Sequence, residues 1–239
     1  MNTMTFDKTA LATRPKRAWG LGLFLIAQAL LSLAPMAVLG PAIGWPASLD
    51  NPAAQQLAAI GAVPGAVSTG YAVYLLYSLL IAPLMIVLAA RTFGSLSHPL
   101  AATVVAFGVL STLARAIGIL RWLTVMPVLA TAHAAADPAA RGQIELVFMA
   151  LTTYGGGIGE LLGVSLCMAA SLGTLCFGAL RSGTLPRWLA VLGLAAAAAL
   201  AGMALPALGV PFEVPTAAAV SLLSLWMMAA GVWALARHA

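Results

Sequence analysis

Charge is what this sequence has least of. Of 239 residues, 11 are Lys or Arg and 6 are Asp or Glu, so 7% of the chain is charged. Soluble domains carry about 25%, and 7% cannot clothe a water-soluble surface. Cysteine is nearly absent too. Cys167 and Cys176 lie nine apart in one apolar run. On a helix they face opposite sides, about 13 Å apart along the axis. They cannot pair, they lack metal-ligand spacing, and they read as polarizable core packing. The three histidines, His98, His133 and His238, all fall near the ends of apolar runs. None is paired with another inside a run, so haem ligation and a two-histidine zinc site lack their ligands. No serine and histidine share an apolar stripe as a nucleophile and base would. There is no glycine loop followed by lysine for a nucleotide phosphate. Asp7 lies in the N-terminal tail, and no apolar run holds two carboxylates. These absences argue against an enzyme, and no metal and no cofactor is expected.

What is present is apolar. The hydrophobic share is 62% and the mean hydropathy is +1.03. A spanning helix needs about 20 mostly apolar residues, and six such runs are visible, at 18–40, 69–92, 100–124, 147–179, 187–208 and 215–236. Lipid offers no partner for open N–H and C=O groups, so each run must be helical. A barrel would need strands that alternate apolar and polar residues, and these do not. The expected fold is all-α: one polytopic membrane bundle over 18–236, a cytoplasmic tail at 1–17 and a short cytoplasmic end at 237–239. The first run exceeds the h-region of a signal peptide, so it reads as a retained span.

Punctuation separates the runs. Pro41, Trp45, Pro46, Asp50, Asn51 and Pro52 close the first, and Ala53–Ala62 reads as a short surface helix before Pro64. His98–Pro99 opens the third. Asp137–Pro138 is a cap followed by a proline, which should start a long fourth helix. Ser182, Gly183 and Pro186 precede the fifth, and Gly209 and Pro211 precede the sixth. Pro35, Pro83 and Pro206 fall inside runs and are expected to kink them.

Orientation follows from Lys and Arg. The tail holds Lys8, Arg14, Lys16 and Arg17, and the turns after runs two and four hold Arg91, Arg181 and Arg187. Residues 41–68 hold no Lys or Arg, 125–146 hold Arg141 beside Asp137 and Glu145, and 209–214 hold Glu213. That alternation predicts six spans with both ends in the cytoplasm, in a cytoplasmic membrane. The cluster Arg14, Lys16 and Arg17 reads as an anchor on anionic lipid, not a nucleic-acid patch. The bilayer is the expected partner, and a protein partner or a second copy stays open. Trp19, Trp188 and Trp233 fall at inner boundaries and Trp45 and Trp122 near outer ones, as aromatic belts would have them.

Charges inside a membrane are costly and therefore informative. Arg115 and Arg121 lie on span three, and Glu160 on span four. At 1.5 Å per residue, Arg115 stands about 22 Å and Arg121 about 31 Å above the inner end of span three, and Glu160 about 30 Å above that of span four. An Arg–Glu ion pair between neighbouring antiparallel helices is expected. Gly108, Ser111, Arg115, Gly118 and Trp122 recur as one small and polar stripe, and Thr153, Gly156, Glu160, Gly163 and Cys167 as another. Gly155, Gly159 and Gly163 repeat at the spacing that lets helices approach closely. Tyr71, Tyr74 and Tyr77 begin span two and read either as an aromatic belt, favoured for the first two, or as a cavity lining beside Glu160.

Three segments resemble a known family. Leu185-Pro186-Arg187-Trp188-Leu189-Ala190-Val191-Leu192-Gly193 resembles an "LPRWL…G" signature at the entry to span five. Arg115-Ala116-Ile117-Gly118-Ile119-Leu120-Arg121-Trp122 is similar to a third helix with an arginine after a small residue. Leu225-Trp226-Met227-Met228-Ala229-Ala230-Gly231 is similar to a closing "LW…G" pattern. The family is a bacterial six-helix membrane family, domain-of-unknown-function family 4386. Members often carry a glutamate early in the last helix, whereas here Glu213 precedes Pro215 and the helix opens Thr216-Ala217-Ala218-Ala219. The resemblance implies a topology but no activity. Two functions stay open: a non-enzymatic binding, sensing or assembly protein with an Arg–Glu polar site, or a small transporter or channel using that site for an anion, a lipid headgroup or a proton.

Overall fold

The computed structural model describes residues 19–212 and 214–237, and among these there is no strand. The basic tail residues Lys8, Arg14, Lys16 and Arg17, with Asp7, Glu213 and His238, lie outside the described residues. Nine α-helices are present among those described: α1 Trp19–Ile43, α2 Ala53–Ala62, α3 Pro64–Leu79, α4 Ile81–Phe93, α5 Pro99–Ala135, α6 Pro138–Gly156, α7 Met168–Ser182, α8 Arg187–Gly202 and α9 Thr216–Ala236. A π-helical segment, Gly157–Cys167, joins α6 to α7.

Five helices are long and apolar enough to cross a membrane: Trp19–Ile43, Pro64–Phe93, Pro99–Ala135, Pro138–Ser182 and Thr216–Ala236. The fifth apolar run forms α8, 16 residues long and so about 24 Å. Its expected extent to 208 is cut short at Gly202, and Pro206 opens a separate 3-10 turn, Pro206–Leu208. Large apolar side chains such as Leu23, Leu33, Leu113 and Val191 are exposed around the outside. Lipid accepts that surface, and water does not.

Local chemistry explains the boundaries. Asp137 Oδ1 accepts from the N–H groups of Ala139 and Ala140 at 3.0 and 2.9 Å, capping α6. His98 Nδ1 accepts from Leu100 N–H at 3.2 Å, capping α5. Gly94, Gly183 and Gly209 end their helices or turns in the left-handed region, which costs glycine little. Pro83 has no N–H for the Leu79 carbonyl, and the second run divides at Leu80 into α3 and α4. Pro35 sits within an unbroken α1.

Successive long helices pack antiparallel, and α9 returns to α1, so the bundle closes into a ring: α1, α3–α4, α5, α6–α7, α8 and α9. Serines stitch neighbours together through main-chain carbonyls. Ser171 donates to Val104 at 2.7 Å, Ser111 to Gly163 at 2.8 Å and Ser165 to Leu200 at 2.6 Å. Such bonds contribute about 0.6 kcal/mol each.

Two expectations change here. Residues 125–146 are helical for most of their length, because α5 runs to Ala135 and the capped α6 begins at Pro138. The helix α2 is half-buried rather than superficial, since Ala53, Gln56, Leu57 and Ile60 pack inward, in one apolar cluster with Trp122 and Met126 of α5.

The closest approach joins α5 to the π segment. A β-carbon at Gly118 would lie 2.8 Å from Gly159 Cα and 2.9 Å from the Gly155 carbonyl oxygen. Backbone touches backbone there, and a methyl group has no room. Gly118→Ala should therefore destabilise the bundle by about 1–3 kcal/mol, read as a lowered unfolding midpoint in detergent. Gly65→Ala, whose β-carbon would meet nothing, should leave the midpoint in place. Equal midpoints for the two variants would refute the close contact.

Candidate polar site in the bundle

The apolar core is divided. One cluster holds Leu25, Tyr77, Leu84, Val104, Val164 and Leu172 with α8 and α9 residues. The second holds Leu39, Tyr71, Ile119, Trp122, Met126 and Phe148. Tyr74 packs against both. Two charged residues fall at the division, while Arg121 lies past it, beside Trp122 of the second cluster. Arg115 lies between Val104 and Ile119 on α5, and Glu160 between Phe148 and Val164 on the fourth span.

Arg115 is buried, at 3% exposure. Gly163 lies over its backbone and Cγ, and its Cζ stands 5.7 Å from the centroid of the Tyr77 ring. Its Nε and Nη2 are buried with no hydrogen-bond partner among the described residues. Arginine stays charged. A buried ion loses several kcal/mol of hydration, whereas a cation–π contact returns about 0.5–2 kcal/mol. The guanidinium is therefore under-compensated by the protein.

Arg121 is turned back on its own helix. Its Nη1 donates to the Gly118 carbonyl at 2.9 Å, and its side chain packs across Gly155. It lies within Coulomb range of Tyr71, Tyr74 and Glu160. Glu160 is exposed and within Coulomb range of Arg121 and Asp50. The expected ion pair is not formed: among the described residues the salt bridge present is His133–Glu145, at 2.8 Å. The π segment is the reason. An i→i+5 ladder takes up more residues per turn than an α-helix, so the α-helical stripe does not hold. Gly155, Gly159, Gly163 and Cys167 face inward, while Thr153 and Glu160 are exposed. The α5 stripe is one buried face, with Gly108, Ser111, Arg115, Gly118 and Trp122 all inside.

The aromatic expectations are revised in part. Trp19 and Trp188 are exposed at 49% and 57%, where a belt can use them. Trp122 is buried at 4% and Tyr71 at 2%, so neither is a belt residue. Their rings stack at 4.7 Å with 4° between planes, and Phe148 meets Trp122 edge-on. Tyr74 stacks with Tyr77 at 6.2 Å and lies within Coulomb range of Arg115, Arg121 and Glu160. The hydroxyls of Tyr71 and Tyr77 are buried and without partners among the described residues.

One member escaped the sequence reading. Gln28 of α1 is fully buried and donates from Nε2 to the Tyr77 carbonyl at 3.3 Å. Its Oε1 has no partner among the described residues. It is the most polar side chain inside the first span, and that was the available signal. Cys167 and Cys176 are free and buried, and no group of described residues has the composition to hold a metal ion.

Two of the three resembling segments, 185–193 and 225–231, meet in space. Trp226 Nε1 donates to the Leu189 carbonyl at 3.1 Å, and a β-carbon at Gly193 would lie 2.6 Å from that nitrogen and within reach of Cys176 Sγ. Glycine is required where the indole seats. A family model described as a domain of unknown function (DUF4386) matches residues 21–237. The chain belongs to this family. No curated protein and no solved structure matches it. For this DUF4386 chain the span-five and closing segments are accounted for by helix packing, whereas the third resembling segment, Arg115–Trp122, carries the buried arginine itself.

Because Arg115 and Glu160 do not touch, their effects on stability should add. In a cycle of Arg115→Leu, Glu160→Gln and the double variant, the coupling should stay within about 0.5 kcal/mol. Arg115→Leu alone should be neutral or stabilising, as removal of an under-compensated buried charge often is. A coupling above about 1 kcal/mol would show that the two side chains are paired in the membrane.

Proposed function

We propose that this chain is a six-span protein of the cytoplasmic membrane, with both ends in the cytoplasm, that binds or senses an anionic group at the polar layer between spans three and four and performs no chemistry on it. The observation that carries the reading is Arg115: a buried cation with no salt-bridge partner among the described residues. Intramembrane charges of this kind are retained for function. The antiparallel ring supports the topology, because it puts Arg91, Arg181, Arg187 and Arg237 at one end of the bundle.

Binding is favoured over conduction by the divided core. A pore needs polar lining along its length. Here the polar groups occupy one layer, and the part of the bundle toward the basic end is closed by Leu84, Leu88, Leu172 and Leu175. Arg121, Glu160 and Tyr74 mark the side from which the layer is approached.

Topology and conduction have separate tests. With a membrane-impermeant thiol reagent on intact cells, Asn51→Cys and Ala135→Cys should label from outside and Leu96→Cys only after the cells are opened. The native cysteines are buried and should stay silent. Labelling of Leu96→Cys in intact cells would overturn the orientation. In liposomes the wild-type chain should pass neither chloride, phosphate nor protons, and a flux removed by Arg115→Leu would establish transport instead.

A further inference from the structure

The two nitrogens left unpaired on Arg115 are not an arbitrary pair. Nε and Nη2 form one edge of the guanidinium, with two parallel N–H groups that match two oxygens of a carboxylate or phosphate. Both are buried and without partners among the described residues, and Gly163 and Gly118 hold the helix around them against the π segment. Tyr77 lies beside the guanidinium and carries an unpartnered buried hydroxyl, which can donate to the same oxyanion. Gln28 fixes the Tyr77 backbone from α1. Ser78 Oγ and Thr112 Oγ1, next to Tyr77 and one turn before Arg115, are also buried without partners. Glu160 does not fill the edge, since it is exposed and no salt bridge joins it to Arg115.

We infer that Arg115 is the anchor of a binding site for one oxyanion with two oxygens on a common edge, a carboxylate or a phosphate, with the Tyr77 hydroxyl as its second donor. This rests on the binding function proposed above and names the ligand chemistry of that site. A halide offers one atom to both N–H groups and leaves the fork less well matched than two oxygens do. The oxyanion is either a free small anion or the head of an acidic lipid entering from the bilayer, and both present the same edge.

The test uses the full chain in mild detergent and follows its unfolding midpoint. The probes are phosphate, acetate and chloride in solution, and phosphatidic acid or phosphatidylcholine in mixed micelles. Wild type should be stabilised by phosphate or acetate if the ligand is free, or by phosphatidic acid but not phosphatidylcholine if it is a lipid, and chloride should do neither. Arg115→Lys keeps the charge and loses the fork, so its apparent affinity should fall about tenfold or more. Tyr77→Phe removes one hydroxyl that has no partner among the described residues, so it should fold and bind several-fold more weakly. It decides the matter if Arg115→Lys does not fold. Arg91→Lys, away from the site, should bind as wild type does. Chloride matching phosphate, or full binding by Arg115→Lys or Tyr77→Phe, overturns the fork. Loss of binding in Arg121→Lys with Arg115→Lys unaffected also overturns it, yet leaves the broader binding function standing. No response to any oxyanion by folded wild type overturns the inference, while the flux assay judges the broader reading separately.

Discussion

The bundle depends on one backbone contact, the seam between α5 and the π segment at Gly118 and Gly159. Lipid supplies no hydrophobic force to press helices together, so their association rests on close packing and interhelical hydrogen bonds. Small residues set how near two helices come, and here they come near enough for backbone to meet backbone. That approach has a second effect. It lays Gly163 over Arg115 and closes the arginine away from water and lipid alike. A bulkier residue at 163 would hold the helices apart and let the guanidinium escape. Packing and polar site are thus the same structural event.

The seam also accounts for the rearranged hydrogen bonding of the fourth span. Gly155, Gly156, Gly157 and Gly159 crowd its entrance, and glycine holds to a regular α-helical ladder more weakly than alanine does. Widening the turn spaces the inward-facing glycines along α5 and throws Glu160 outward. π segments recur at functional sites, and this one decides which charge is buried. Arg115 stays inside, and the acid that would neutralise it does not.

Much of this was legible in the residues. Asp137–Pro138 and His98–Pro99 carry their caps in their own chemistry, so the starts of α5 and α6 could be placed. The α5 stripe follows from ordinary helical spacing and is one buried face. The failures share a cause. Trp122 and Tyr71 were read by depth alone, as belt residues, but each finds the other across two helices, and only packing between elements reveals a stack. Glu160 was placed by assuming a uniform helix, and composition does not show where a ladder changes register. Gln28 was readable: it is an amide in an otherwise apolar span, and the cost of a polar group in lipid marks it as surely as it marks the arginines.

The division of the core argues most directly about what such a bundle is for. Were Arg115 kept to lock the register of the helices, it would have to hold something, and its fork holds nothing among the described residues. The register is instead supplied by the glycine seam, by Ser111, Ser165 and Ser171 on neighbouring carbonyls, and by Trp226 seated on Gly193. The span-five and closing family segments belong with these packing contacts. The aliphatic stem of Arg115 packs under Gly163, but its charged head adds a desolvation cost that these packing contacts do not need, and that cost is what the proposed binding role would explain.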